Sequence, residues 1–152
     1  MLRFTKRADY GLMAIHYIAV QEVLGPVSAK RIAEQSNIPA ELLAKILQRL
    51  AKRGLIVSQN GPKGGYVLGL RPTQISVGDV IQALEGPVRI VGCLEESSDC
   101  PQLSRCSLRR PVQKLQTAIS QMLDGMSLAE LTSDDVPEML AFPGVKESDR
   151  WR

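Results

Sequence analysis

The segment from Pro39 to Leu68 constrains the fold more tightly than any other part of the chain. Pro39 sits where a first helical residue tolerates proline, because an N–H at that position has no intrahelical partner. Glu41 falls in the first turn, where the helix dipole favours an anion, and Lys52-Arg53 followed by Gly54 closes the other end. Leu43, Ile46, Leu47 and Leu50 form one apolar stripe, which leaves Lys45, Arg49 and Lys52 facing solvent or an anionic partner. Two short strand-like runs follow, Leu55-Ile56-Val57 and Tyr66-Val67-Leu68, divided by a Gly-rich stretch from Gln59 to Gly65. That pattern predicts a hairpin.

Upstream, residues 6 to 23 read as a helix with Leu12, Ile15, Ala19 and Val23 on its inward face, closed by Gly25-Pro26. His16 lies four residues after Leu12 on that stripe, and reads as a packed, hydrogen-bonded histidine rather than a ligand. Ser28 is the expected N-cap of a short helix through Gln35, and Ser36-Asn37 the turn after it. The expected fold is therefore mostly α with a small β-hairpin wing: a winged helix-turn-helix whose helix over 39–53 enters the major groove. The bland alternative is a small helical domain with an incidental hairpin and a solvated basic face.

Charge divides the chain in the same place. Residues 1 to 75 carry eleven Lys or Arg against four Asp or Glu, a balance of +7, whereas residues 76 to 152 carry eight against twelve, a balance of -4. An anionic partner such as double-stranded DNA belongs on the first half. Phe, Trp and Tyr make up only 4% of the chain, so the core must be aliphatic. No apolar run reaches membrane-spanning length, and Asp9 interrupts the basic start that a signal peptide would need, so a cytoplasmic protein without a membrane partner is expected. No nucleophile–base pattern or phosphate loop stands out, which argues against an enzyme and against a small-molecule substrate.

Ser76 is the expected N-cap of a further helix through Glu85, with Val77, Val80, Ile81 and Leu84 as its apolar face. Residues 92 to 107 have no periodicity and hold all three cysteines, Cys93, Cys100 and Cys106. Leu108, Val112, Leu115, Ile119 and Met122 then recur as an a/d seam, with Pro111 tolerable only if the helix starts near Arg109 or Arg110, or kinks there. The seam is best used for dimerisation. At about 2 kcal/mol per buried aliphatic side chain, five residues on each of two chains supply on the order of 20 kcal/mol against an association cost of about 4–15 kcal/mol. Ser127 to Leu131 reads as a short helix, and Thr132 to Arg152, with Pro137 and Pro143, as a mobile tail. The expected organisation is a DNA-binding domain over 1–75, a cysteine loop and dimerisation helix over 76–131, and the tail over 132–152.

The spacing Cys93-x6-Cys100-x5-Cys106 is not that of a zinc ribbon, and the odd count in a cytosolic protein favours a metal or redox site over a disulfide framework. Iron–sulfur, zinc, a thiol switch and inert thiols all remain open on spacing alone.

Several motifs in order carry a resemblance. They are Leu2-Arg3-Phe4-Thr5-Lys6, Asp9-Tyr10-Gly11, Leu50-Ala51-Lys52-Arg53-Gly54-Leu55-Ile56, the wing Gly61-Pro62-Lys63-Gly64-Gly65-Tyr66, Ile75-Ser76-Val77-Gly78-Asp79-Val80-Ile81, and the three-cysteine loop. Over residues 1 to about 131 the chain resembles the Rrf-type bacterial transcription regulators, which include IscR, NsrR, RirA and the SUF-operon regulators. Ala83-Leu84-Glu85-Gly86-Pro87 and Cys106-Ser107-Leu108-Arg109 are most similar to the SUF-regulator and RirA side.

The resemblance implies a homodimeric regulator of iron–sulfur biogenesis or iron homeostasis genes, binding a pseudo-palindromic operator under control of an iron–sulfur cluster. A nitric-oxide- or redox-sensing repressor of the same family is the nearest rival, and a cytosolic thiol or iron–sulfur protein that never binds DNA the more distant one. IscR-like members place a ligating histidine where this chain has Arg109, so a 4Fe-4S cluster is favoured over 2Fe-2S. Cys93, Cys100 and Cys106 are the implied ligands, joined either by Asp9 of the partner subunit, which matches the aspartate of NsrR-like members, or by an exchangeable ligand. Aligned on the family's DNA-binding residues, Lys30, Lys45, Arg49 and Lys63 are expected at phosphates. Glu41 and Asn60 are candidate base contacts, though a helix start and a tight turn equally account for them. The family's acidic base reader corresponds to Ala44, so operator sequence does not transfer.

Overall fold

The computed structural model describes residues 3–92, 99–102 and 104–133. Cys93 and the expected tail beyond Ser133 lie outside them. The order is α1 (Lys6–Gln21), α2 (Ala29–Ser36), α3 (Ala40–Lys52), β1 (Ile56–Gln59), β2 (Gly65–Leu68), α4 (Val77–Glu85), α5 (Arg109–Gly125) and α6 (Leu128–Thr132). This is the winged helix-turn-helix with a long additional helix that the sequence predicts.

Local chemistry sets most boundaries. Thr5, Ser28, Ser76 and Ser127 each accept a backbone N–H with the side-chain oxygen and so cap α1, α2, α4 and α6. Asp79 and Glu130 return the bond to their caps, closing capping boxes. Pro39 is the cap residue of α3 rather than its first helical residue, and its carbonyl accepts from Leu43 N at 2.9 Å. In α5, Pro111 follows Arg109 and Arg110 in the first turn, where a missing N–H costs nothing. The strands pair antiparallel with Ile56 opposite Leu68 and Gln59 opposite Gly65, a residue or two longer than the apolar runs suggested. Val27, just before α2, exchanges both main-chain bonds with Tyr66 at 3.0 and 2.8 Å, which fastens the wing to the helical body.

The core is aliphatic. Ile15 and Ile18 from α1, Ile32 from α2, the whole predicted stripe of α3, Ile56, Ile75, Val80, Leu84 and Leu128 form one cluster. The inward face of α1 is Ala8, Gly11, Ala14, Ile15 and Ile18; of the expected stripe Ile15 is buried and Leu12 and Ala19 pack half-buried against the core, while Val23 lies outside it. Val23 is 95% exposed in a 3-10 turn after the helix end, and His16 is exposed rather than packed. The reason is that α1 buries small residues so that α4 can approach: a Cβ on Gly11 would collide with the Leu84 side chain. Ala8, Val77 and Ile81, with Leu123 and Met126 against them, extend the packing to α5. Val77 N donates to Met126 O at 2.8 Å and Leu128 N to Ile75 O at 2.7 Å, so the end of α5 returns to the start of α4.

Helix α5 contributes no fully buried residue. Leu108, Leu115 and Met122 of the predicted seam are 63%, 53% and 41% exposed, while Val112 and Ile119 are half-buried. Among the described residues, no helix is long and apolar enough to cross a membrane.

Candidate functional site

The left-handed Asn37, at φ 50°, turns α2 into α3. Leu43, Ile46, Leu47 and Leu50 hold the inner side of α3, which leaves Glu41, Ala44, Lys45, Gln48 and Lys52 on its open side, all exposed. Glu41 and Lys45 are thus presented as expected. Gln48 was not anticipated, and its only sequence signal is its place one turn beyond Ala44 on the polar face.

Lys30 is exposed on α2 and 3.9 Å from Glu34, a solvent-screened contact that a phosphate can displace. Asn60 and Lys63 are exposed in the wing loop, where Gly61 adopts φ 119° and Gly64 N closes the turn on Gly61 O at 2.9 Å. Helix α3 and the wing therefore carry cations and amides toward solvent, with two aliphatic anchors, Ile56 and Leu68, pinning the wing below. Arg49 is placed differently from the expectation of a plain phosphate contact: its guanidinium donates to the Leu84 carbonyl at 2.6 Å, at the end of α4.

Cys100 is half-buried and Cys106 exposed, both free thiols in irregular backbone upstream of α5. Asp9 is exposed in the first turn of α1. Among the described residues, no three His, Cys, Asp or Glu side chains converge, so Asp9, Cys100 and Cys106 do not form a site within one chain. Arg109 and Arg110 open α5, where the helix dipole also favours negative charge.

The turn that leads from α4 toward the cysteines is tightly tied. Glu85 accepts from Thr5 Oγ1 at 2.8 Å and pairs with Arg7 Nε at 3.1 Å. Gln116 of α5 accepts from Ile90 N at 2.8 Å and donates to the Val88 carbonyl. A groove of about 670 Å³ runs along this turn, lined by Phe4, Ala8, Ile81, Val88, Ile119 and Leu123 among others.

A family model described as "Iron-dependent Transcriptional regulator", Rrf2, matches residues 4–134. The chain belongs to the Rrf2 family. It is similar to the transcriptional regulator IscR of Aliivibrio salmonicida, 35% identical over 134 residues, covering 88% of this chain and 79% of that protein. The regulator CymR of Bacillus subtilis is 32% identical over 141 residues, covering 93% of this chain and 97% of its own. Among solved structures, that of CymR, described as the global cysteine regulator of B. subtilis, superposes with TM-score 0.72 at 32% identity, over 90% of this chain and 100% of the other. IscR of T. potens gives 0.68 at 31%, over 86% and 85%. As an Rrf2 member the chain is a DNA-binding transcription regulator and not an enzyme.

Proposed function

We propose that this Rrf2 regulator acts in the cytoplasm as a homodimer on a pseudo-palindromic operator, and that an iron–sulfur cluster held by its cysteine segment sets its DNA affinity. The genes it controls are those of iron–sulfur biogenesis or iron homeostasis. The observation that carries the reading is the position of the free thiols of Cys100 and Cys106, on the segment between α4, which packs on the DNA-binding helices, and α5, whose apolar seam is uncovered. Thiolates are soft ligands suited to such a cluster, and the start of α5 suits its negative charge. Cys93, Cys100 and Cys106 would hold it, with Asp9 of the partner subunit as fourth ligand. When bound, the cluster supplies a clamp that responds to iron and oxidants.

Dimerisation is supported by the seam. Leu108, Leu115 and Met122 are the large apolar residues of the seam that stay exposed, over about half of their surface. Covering what is exposed of these three on each chain supplies about 6 kcal/mol at about 2 kcal/mol per full burial, at the low end of the association cost of about 4–15 kcal/mol. The stabilisation is smaller than five full burials on each chain would give, so a dimer in measurable exchange with monomer is expected. In the dimer, α3 and the wing of each copy meet successive half-sites. Lys30, Lys45 and Lys63 serve phosphates, and Glu41 and Asn60 stand nearest to bases.

The test is the visible spectrum of protein purified without oxygen, alone and with each cysteine replaced by alanine. A charge-transfer spectrum lost in all three variants supports the reading, and a colourless or zinc-loaded wild type overturns it. The free thiols of Cys100 and Cys106 also support a second reading, direct redox sensing without a cluster. Colourless protein whose operator affinity responds to peroxide and recovers with reductant would establish that reading instead.

A further inference from the structure

We propose that the turn from Leu84 to Ile90 is the mechanical link between the cysteine segment and the recognition helix α3, with Arg49 and Gln116 as positioning residues at its two ends. The inference rests on the cysteine segment being the sensing element. At one end the Leu84 carbonyl lies in the last turn of α4, where carbonyls have run out of helical donors; Gly86 N already serves Gln82 O. Arg49 fills that vacancy from α3 with a charge-assisted bond of 2.6 Å. At the other end the Gln116 side chain bonds Ile90 N and the Val88 carbonyl together, as a neighbouring strand would. Ile90 is three residues before Cys93. Next to Leu84, Glu85 is fastened by Thr5 and Arg7, which flank the start of α1 close to Asp9.

The turn is thus gripped by α1, α3 and α5 through directional bonds, while the groove leaves it room to move on one side. Hydrogen bonds prefer a narrow geometry, about 2.7–3.2 Å for N–H···O with weakening that is steep below about 120°. Displacement of Ile90 by the cysteine segment therefore exchanges one bonded arrangement for another, and α3 feels the change through Arg49. Arg49 accordingly acts on DNA by holding α3, and not by meeting a phosphate.

Hydrogen–deuterium exchange and operator binding on the full chain test this together. Gln116→Leu cuts both bonds to the turn, and Gln116→Glu, which keeps the acceptor for Ile90 N, is the milder variant; circular dichroism confirms that each is folded. The expected result is faster exchange at 86–90 and also in the last turn of α3, which Gln116 does not touch. Faster exchange confined to 88–90 overturns the proposal. Arg49→Leu should leave the salt slope of operator binding at its wild-type value while loosening 84–90. A slope reduced by about one counterion, as for a lost phosphate contact, with exchange unchanged, also overturns it. Couplings of this kind amount to about 5- to 150-fold in affinity, and Gln116→Leu should bring the ratio between cluster-loaded and stripped protein to near one. A wild-type ratio already at one removes the cluster reading, and the exchange result then decides the link by itself. A normal wild-type ratio that survives in Gln116→Leu removes the link and leaves the cluster reading standing.

Discussion

At Glu130 the carboxyl is held below the ordinary glutamate range by hydrogen bonds from Ser127, first from its hydroxyl and then from its backbone N–H. A depressed folded-state pKa contributes stability that is present above the unfolded value and is lost as pH falls through the folded one. The capping box of α6 should therefore open only in acid below the usual glutamate titration. Carboxyl NMR titration should place Glu130 below that range, and Ser127→Ala should raise it part of the way back, the bond from the backbone N–H remaining, and cost about 1 kcal/mol of stability by loss of the cap. Gly11 presents a steric limit. Its added Cβ would meet Leu84, which is fully buried and cannot swing aside. Gly11→Ala should lower stability by about 1–3 kcal/mol through overpacking, less a helix-propensity gain of up to about 1 kcal/mol, measured by urea denaturation. Neither the role of Gly11 nor the bond from Arg49 to Leu84 was legible in the sequence. Both depend on which distant residue arrives, and Gly11 was masked by the larger Leu12 and His16 beside it.

Among the elements, α3 was the most legible, because Pro39 and Gly54 punctuate it and its four-residue apolar stripe matches the buried set. Helix α4 was equally plain, with Ser76 and Asp79 forming its box and Val77, Val80, Ile81 and Leu84 buried as read. The face of α1 was legible only in part, through Ile15, Leu12 and Ala19, because hydrophobic size is a poor guide where two helices pack closely through alanine and glycine. In α5 the seam was legible, and its assignment to dimerisation already required a face left uncovered in one chain, as Leu108, Leu115 and Met122 are; that Val112 and Ile119 would be half-buried was not legible, since exposure is a property of the folded monomer. Replacing Leu115 by glutamate on that seam should convert the dimer to monomer by analytical ultracentrifugation, leave the thermal unfolding of the winged helix nearly unchanged, and weaken binding to a full operator far more than to a half-site. For α3 and the wing, Lys45→Ala and Lys63→Ala should each reduce the slope of log affinity against log salt by about one, without relaxing sequence preference in a fluorescence-anisotropy titration.

For the whole molecule, the division of charge was the earliest guide: the basic half folds as the winged helix-turn-helix, and in sequence the cysteines fall between it and the long helix α5. What sequence pattern could not supply is how the two halves are joined. Leu128 and Ile75 share a core with α1 and α3, and Glu85, Arg49 and Gln116 tie the α4 end to three other helices. An assembly joined in this way can pass a change at the cysteine segment to the DNA-binding surface without a separate mobile domain. Titrating one operator fragment with the same anaerobic preparation, before and after the cluster is removed by chelator, measures whether a cysteine-held iron–sulfur cluster sets operator affinity. A change in Kd of about fivefold or more, in the range of typical allosteric couplings, reversed on reconstitution and lost in Cys106→Ala, is the predicted result. Equal Kd values for loaded and stripped protein would contradict it.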